Sequence, residues 1–383
     1  MKKRYILAAA LVAAIACVAS LGAAVTAHAD ERLPKFKAGF MMDAATGTAV
    51  FEHNADERLP IASMVKIMTL LLCFEELDNG GLTADGEITV SQNAASMGGS
   101  QAFLDANCSY KTEELLKSIV VASANDSCVA MAEHICGSVE SFTDRMNKRA
   151  AELGMENTYF VNCTGLPAPN QYCSARDAAT MMRELIRHDK FFEYAGIWMF
   201  DFVHPSGRIT QLTNTNKLVR FYEGCDGGKT GFTSEALSCL TATAKRGDTR
   251  FIAAVIGAPD SKTRNAEMSR LFNEGFGKYA TTKVIDRNEP LDPVPVEGGK
   301  ADSVPVAFRD DFCLFGEKSV RQEITRTYEI APVKAPVRAG DVVGRVVLTA
   351  PDGTVMGETD IVATDSVGRM NYGDIVDDFI GRW

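Results

Sequence analysis

Strand-like alternation over residues 37–53 returns in earnest only at Ser238–Ala244 and Arg250–Gly257, and helical patterns fill most of the chain between. Helices enclosed by an early hairpin and late strands imply an antiparallel sheet whose first and last strands meet in space. The early pair flanks Asp43-Ala44-Ala45-Thr46-Gly47, a turn sequence. Helical periodicity marks Ala62–Leu77, Thr112–Ile135, Val139–Leu153, Ala175–His188 and Lys262–Tyr279. The expected class is therefore a mixed α/β fold of the α+β kind, an antiparallel sheet with a helical cluster.

A chain of 383 residues is too long for one typical core. Composition shifts near Thr281, where Pro290, Pro293, Pro295 and Gly298-Gly299 give way to short β-rich runs. Those runs are Val304–Phe308, Glu323–Ile330 and Asp341–Thr349, with Pro351-Asp352-Gly353 as a turn after the last. The reading is a first domain over 30–282 and a small all-β domain over 283–369.

Ahead of both lies Lys2-Lys3-Arg4, an apolar run from Tyr5 to Val25, and Ala27-His28-Ala29. That is the pattern of a signal peptide over residues 1–29, with an uncleaved membrane anchor as the other reading of so long a run. Either way the chain is expected to be exported. The leader holds three of the 40 basic residues and none of the 50 acidic ones, so the mature chain carries a net charge of −13. An acidic chain of this kind excludes nucleic acid as a natural partner. Nine of the ten cysteines remain after Cys17 leaves with the signal. Cys163 with Cys173, or Cys128 with Cys136, are possible disulfides, and buried thiols are the equal alternative.

Three short motifs carry chemistry. Ser63-Met64-Val65-Lys66 places a hydroxyl and an amine three residues apart at the start of a helix, within mutual reach. Serine becomes a useful nucleophile when a neighbour takes its proton, and lysine does so only where burial or a nearby cation keeps it neutral part of the time. Alone, the pair reads as well as a capping serine and a solvated lysine. Ser123-Ala124-Asn125 sits in an apolar helical stretch and needs buried partners, unless it marks a break between two helices. Lys229-Thr230-Gly231, just before a predicted strand, offers a cation, a hydroxyl and a bare glycine to an extended peptide. A phosphate loop ending Gly228-Lys229-Thr230 fails, because it needs glycine where Glu223 stands.

Ser-x-x-Lys, Ser-x-Asn and Lys-Thr-Gly occur here in that order, with 60 and 106 residues between their first positions. With these triplets the chain resembles the low-molecular-mass penicillin-binding proteins, the serine-type D-alanyl-D-alanine carboxypeptidases. The likeness extends to Leu59 through Thr69, Tyr172 through Asp177, Asp226 through Thr233, Arg264, and Gly340-Asp341-Val342-Val343-Gly344 in the tail. It implies a penicillin-binding/serine β-lactamase-like transpeptidase fold with a β-rich second domain. It also implies hydrolysis of peptidoglycan stem peptides ending in D-Ala-D-Ala, covalent inhibition by β-lactams, and neither cofactor nor metal.

By that resemblance Ser63 attacks the penultimate D-Ala carbonyl and Lys66 accepts its proton. Ser123 passes a proton to the leaving amine, aided by Asn125 and Lys229. The backbone N–H groups of Ser63 and Phe232 form the oxyanion hole, Gly231 admits the substrate backbone, and Thr230 and Arg264 hold the terminal carboxylate. Two departures stand out: Ala124 replaces the aspartate of β-lactamases, and Leu237 stands where relatives often carry glycine. The alternatives are a serine β-lactamase-like hydrolase, which lacks its Glu-x-x-x-Asn loop here, a metal-dependent carboxypeptidase, and a non-catalytic cell-wall-binding protein. The five histidines show no close metal-ligand spacing. Finally, Tyr372, Ile375, Val376, Phe379, Ile380 and Trp383 form one apolar stripe in the C-terminal segment 370–383 if residues 372–383 are helical. The resemblance implies membrane contact through 372–383, at the outer face of the cytoplasmic membrane, the cell wall or the periplasm. Three acids against one arginine make that contact weak and peripheral, and packing on the β domain is the other reading of the stripe.

Overall fold

The computed structural model describes residues 33–320 and 323–372. The leader expected at 1–29, and all of the C-terminal stripe beyond Tyr372, lie outside the described residues. The early hairpin consists of β1 (Ala38–Asp43) and β2 (Ala49–His53), paired antiparallel. Gly47 takes φ +76° in its turn, a conformation that costs glycine little. Three later strands complete the sheet: β3 (Cys225–Thr233), β4 (Leu237–Arg246) and β5 (Thr249–Ala258). The order is β2-β1-β5-β4-β3, all neighbours antiparallel, so the first and last strands do meet, with Phe40 opposite Ala254.

β1 is buried on both faces, which explains its nearly continuous apolar run. On one face Phe40, Met42, Ile252 and Ala254 pack into the helical cluster of α1 (Lys66–Asp78), α2 (Thr112–Ala122), α3 (Asn125–Cys136), α4 (Val139–Glu152) and α5 (Ala175–Leu185). On the other face Met41, Leu240, Phe251 and Val255 meet Met268, Leu271 and Phe272 of α6 (Ser261–Lys278). Each such side chain, fully buried, contributes about 1.5–3 kcal/mol, so the two layers fix the sheet firmly between them.

The structure corrects the sequence reading at three places that matter for the site. Ala62–Val65 is a 3₁₀ turn, and the α-helix starts only at Lys66. The single helix expected over Thr112–Ile135 is two helices, broken at Ser123 with φ +66°. There the Asn125 N–H donates to the Ser100 carbonyl at 2.7 Å, and the Asp126 carboxylate accepts from Ala102 and Leu104 N–H at 3.0 and 3.1 Å. Polar residues bonded outside the helix cannot continue it. Lys229-Thr230-Gly231 lies inside β3, not ahead of a strand. A run with several glycines carries little strand signal of its own; pairing with β4 makes it one.

Beyond α6, Tyr279–Ile285 pairs with Phe312–Glu317 and runs through residue 282, where the sequence changes character. A four-stranded sheet follows, in the order Val306–Phe308, Val355–Ala363, Val342–Thr349, Thr325–Ile330, with its own core around Val346, Leu348 and Ile361. The nine described cysteines are all free thiols, so neither disulfide considered above is present.

Candidate active site

The 3₁₀ turn carrying Ser63 presses against β3, and two glycines permit that approach. A Cβ on Gly231 would stand 2.4 Å from the Ile61 carbonyl oxygen and 3.2 Å from Ser63 N. One on Gly165, at φ +77°, would stand 2.1 Å from the Ala62 carbonyl oxygen and 2.9 Å from Ser63 N. The backbone amide of Ser63 is thus flanked by bare backbone from two sides. Ala62 itself takes φ +49°, and Ser123 φ +66°, two left-handed positions that each cost a non-glycine residue about 1–2 kcal/mol. Strain of this kind persists where packing imposes it, and here it falls at two motifs singled out for chemistry.

Ser63 caps no helix, since Ile61 and Val65 occupy the cap positions and neither they nor Ser63 makes a side-chain cap bond. Instead Lys66 Nζ lies 2.9 Å from Ser63 Oγ. Lys66 also donates to the Thr164 carbonyl, and Ser63 Oγ lies 3.5 Å from the same oxygen. Lys66 is 0% exposed, and burial pushes its ammonium below the ordinary lysine value. Cys128, Cys163 and Asp126 act the other way. Burial raises both thiols, Cys128 to about 11, so at neutral pH they are uncharged.

Lys229, 1% exposed, is held well below the ordinary value by burial, by the Lys66 charge and by Arg264. Its Nζ donates to the Thr230 carbonyl at 3.1 Å. Thr230 Oγ1 donates to Thr215 Oγ1 at 2.9 Å. Arg264, 5% exposed, enters from α6 on the far face of the sheet. It donates to the Cys239 carbonyl at 3.4 Å and to Asn265 Oδ1 at 2.9 and 3.1 Å. Lys66, Lys229 and Arg264 form no ion pair with any described residue. Buried cations without a counter-ion are costly, and an anionic ligand relieves that cost.

Ser123 Oγ and Asn125 Oδ1 are buried and find no hydrogen-bond partner among the described residues, while Asn125 Nδ2 donates to the Gly98 carbonyl at 2.7 Å. The partners expected for this motif are thus missing on the side that a ligand can supply. Phe232 is 68% exposed at the sheet edge, one residue beyond Gly231. Sequence reasoning missed Thr164 and Thr215. Thr164 acts through its carbonyl, which leaves no side-chain signature, and the left-handed Gly165 after it is the one trace in the sequence.

Fold and site together define a serine hydrolase whose nucleophile is attended by lysine, on an antiparallel sheet roofed by helices. The family model described as D-alanyl-D-alanine carboxypeptidase matches residues 25–260. The model for the C-terminal domain of penicillin-binding protein 5 matches residues 279–369. The D-alanyl-D-alanine carboxypeptidase DacF of Bacillus subtilis is 38% identical over 352 residues, 91% of this chain and 90% of the relative. The crystal structure of penicillin binding protein 5 from Haemophilus influenzae superposes with TM-score 0.69 at 30% identity, covering 88% of this chain and 98% of that one. A Streptococcus pneumoniae structure titled as a peptidoglycan synthesis regulatory factor (PBP3) gives TM-score 0.69 at 26% identity, covering 88% of this chain and all of the other. The chain belongs to the D-alanyl-D-alanine carboxypeptidase family.

Proposed function

We propose that this protein removes the terminal D-alanine from peptidoglycan stem peptides ending in D-Ala-D-Ala, through an ester on Ser63. The observation that carries the reading is the 2.9 Å contact between Ser63 Oγ and a fully buried Lys66 Nζ. With Lys66 neutral, the hydroxyl donates to the amine. Ser63 Oγ attacks the penultimate D-Ala carbonyl carbon as its proton passes to Lys66. The oxyanion is met by the N–H groups of Ser63 and Phe232, an interaction typically worth about 2.7–4 kcal/mol per donor. The C–N bond then breaks, and Ser123, aided by Asn125 and Lys229, relays a proton to the departing amine. Water adds to the ester, the acyl–oxygen bond breaks, and the proton returns to Ser63. Thr230 and Arg264 receive the terminal carboxylate, supported by the absence of an ion-pair partner for Arg264 among the described residues. A β-lactam acylates the same oxygen.

Ser63→Ala is expected to abolish both fluorescent penicillin labelling and D-alanine release, with thermal unfolding little changed. Persistent labelling of that variant sinks the assignment.

The finer expectation concerns location. We read residues 372–383 as a weak peripheral membrane contact: the stripe ending in Trp383 is apolar, yet the segment holds Asp374, Asp377 and Asp378 against one Arg382. Liposome co-sedimentation with and without residues 370–383 tests it, and equal partitioning of the two forms removes it.

A further inference from the structure

Beside Ser63 lies a cavity of about 350 Å³ with no role in the chemistry above. Ile61 and Ala62, the two residues before Ser63, form its inner wall. Pro60, Leu166 and Pro167 make much of the rest apolar, and Thr233 at the end of β3 and Glu235 in the hairpin loop after it close the cavity. Glu235 alone among the described lining residues carries a charge. It is exposed and forms no ion pair with any described residue.

The strand fixes which part of a substrate reaches this cavity. Gly231 faces Ser63 N, and Thr230, proposed to take the terminal carboxylate, lies one residue towards the start of β3. Thr233 and Glu235 lie on the opposite side of Gly231, where the part of the peptide retained in the ester must extend. Four residues from Gly231 to Glu235 span at most about 13 Å at 3.3 Å per residue. One peptide residue of about 3.5 Å, followed by a four-carbon amine stem of about 6 Å, fits within that reach.

Resting on the carboxypeptidase reading, we propose that this cavity receives the residue preceding the penultimate D-alanine. Glu235 selects there an aliphatic side chain that ends in a primary ammonium. The apolar wall takes the methylenes and the carboxylate takes the charge, in a protein whose net charge already favours cations.

Two synthetic peptides ending in Lys-D-Ala-D-Ala, one with a free ε-amine and one with that amine acetylated, test this in the full-length protein. The wild type is expected to turn over the free-amine peptide with a kcat/KM about two- to fivefold higher at low salt, the range of an exposed ion pair. The ratio should fall towards one near 1 M salt, where the Debye length is about 3 Å. Glu235→Gln should bring the ratio close to one, and Glu235→Lys should invert it. A wild-type ratio of one, or a preference that survives Glu235→Lys, overturns the proposal. Should neither peptide release D-alanine and no penicillin label Ser63, the carboxypeptidase reading falls, and this proposal with it.

Discussion

At the scale of single residues, two buried lysines set the pH dependence expected of the proposed reaction. Burial lowers both Lys66 and Lys229, and the Lys66 charge lowers Lys229 further. In the proposed reaction Lys66 must be neutral to accept from Ser63, whereas Lys229 is useful charged, facing a carboxylate. That reaction needs the singly protonated pair with its charge on Lys229, and losing the Lys66 proton favours that form by removing one of the repulsions that depress Lys229. The sign follows directly. Lowering the pH returns the proton to Lys66 and slows acylation, while raising it strips the charge from Lys229 and weakens binding of the anion. The rate of penicillin acylation is therefore expected to be bell-shaped in pH, with both limbs below the ordinary lysine value of 10.5. On the acid limb it should fall about tenfold per pH unit. Lys66→Arg keeps the charge and loses the acceptor, because guanidinium does not deprotonate in proteins. Stopped-flow acylation across the pH range decides it: a flat profile, or an arginine variant that acylates normally, rules out Lys66 as the base.

Among the elements, β3 and the 3₁₀ turn against it show what contact costs. Gly231 has no Cβ because the Ile61 carbonyl oxygen occupies that space, at 2.4 Å from where a Cβ would sit. The obstacle is backbone and cannot rotate away. Gly231→Ala is expected to push the turn off the strand by several tenths of an ångström or more and to cost acylation about 100-fold. The variant should still fold, since the cores on both faces of the sheet are untouched; penicillin labelling rates alongside circular dichroism measure the two separately. The same contact shows what the sequence could carry. Periodicity was enough for the hairpin, the helices and the meeting of first and last strands, because those follow from burial repeating along one chain. The spacing of Ser63 and Lys66 was enough to put them in contact, since one helical turn fixes it. The strand character of residues 225–233 was not readable, because a glycine-rich segment becomes a strand only through pairing with β4. The break at Ser123 was one of two readings of that stretch, and hydrogen bonds to the distant segment 100–104 decide it. Arg264 came from resemblance alone, for nothing in its local sequence says that α6 delivers it towards the site from the far face.

In the whole molecule, the catalytic sheet and the β-rich region are tied at a buried acid. Asp43, at the end of β1, is 0% exposed. Its Oδ1 accepts from Thr46 N and Thr46 Oγ1, both at 2.8 Å, and its Oδ2 accepts from Thr281 Oγ1 at 2.6 Å. Thr281 N in turn donates to Thr249 Oγ1 at the start of β5, at 2.8 Å. Thr281 belongs to the strand Tyr279–Ile285, whose partner Phe312–Glu317 carries Phe315, stacked on Tyr279 and edge-on to Phe251 of the sheet core. One carboxylate therefore joins the tip of the first hairpin to a strand 238 residues away. Removing it leaves the buried Thr281 hydroxyl without its acceptor, at about 1–3 kcal/mol, while the N–H and hydroxyl of the exposed Thr46 can turn to water. Asp43→Ala is expected to lower the thermal midpoint by roughly 4 °C or more, at about 2–4 °C per kcal/mol for a domain of this size. Penicillin labelling at 25 °C should persist, because no catalytic group touches Asp43. Thr281→Val removes only one arm and should cost about 1 kcal/mol. The double variant is the deciding measurement. Once Asp43 is gone Thr281 has no acid to bond, so the second substitution should add little to the first, a coupling of at least about 0.5 kcal/mol. Strict additivity of the two shifts, measured by calorimetry in one buffer, would mean that this bond does not hold the two regions together.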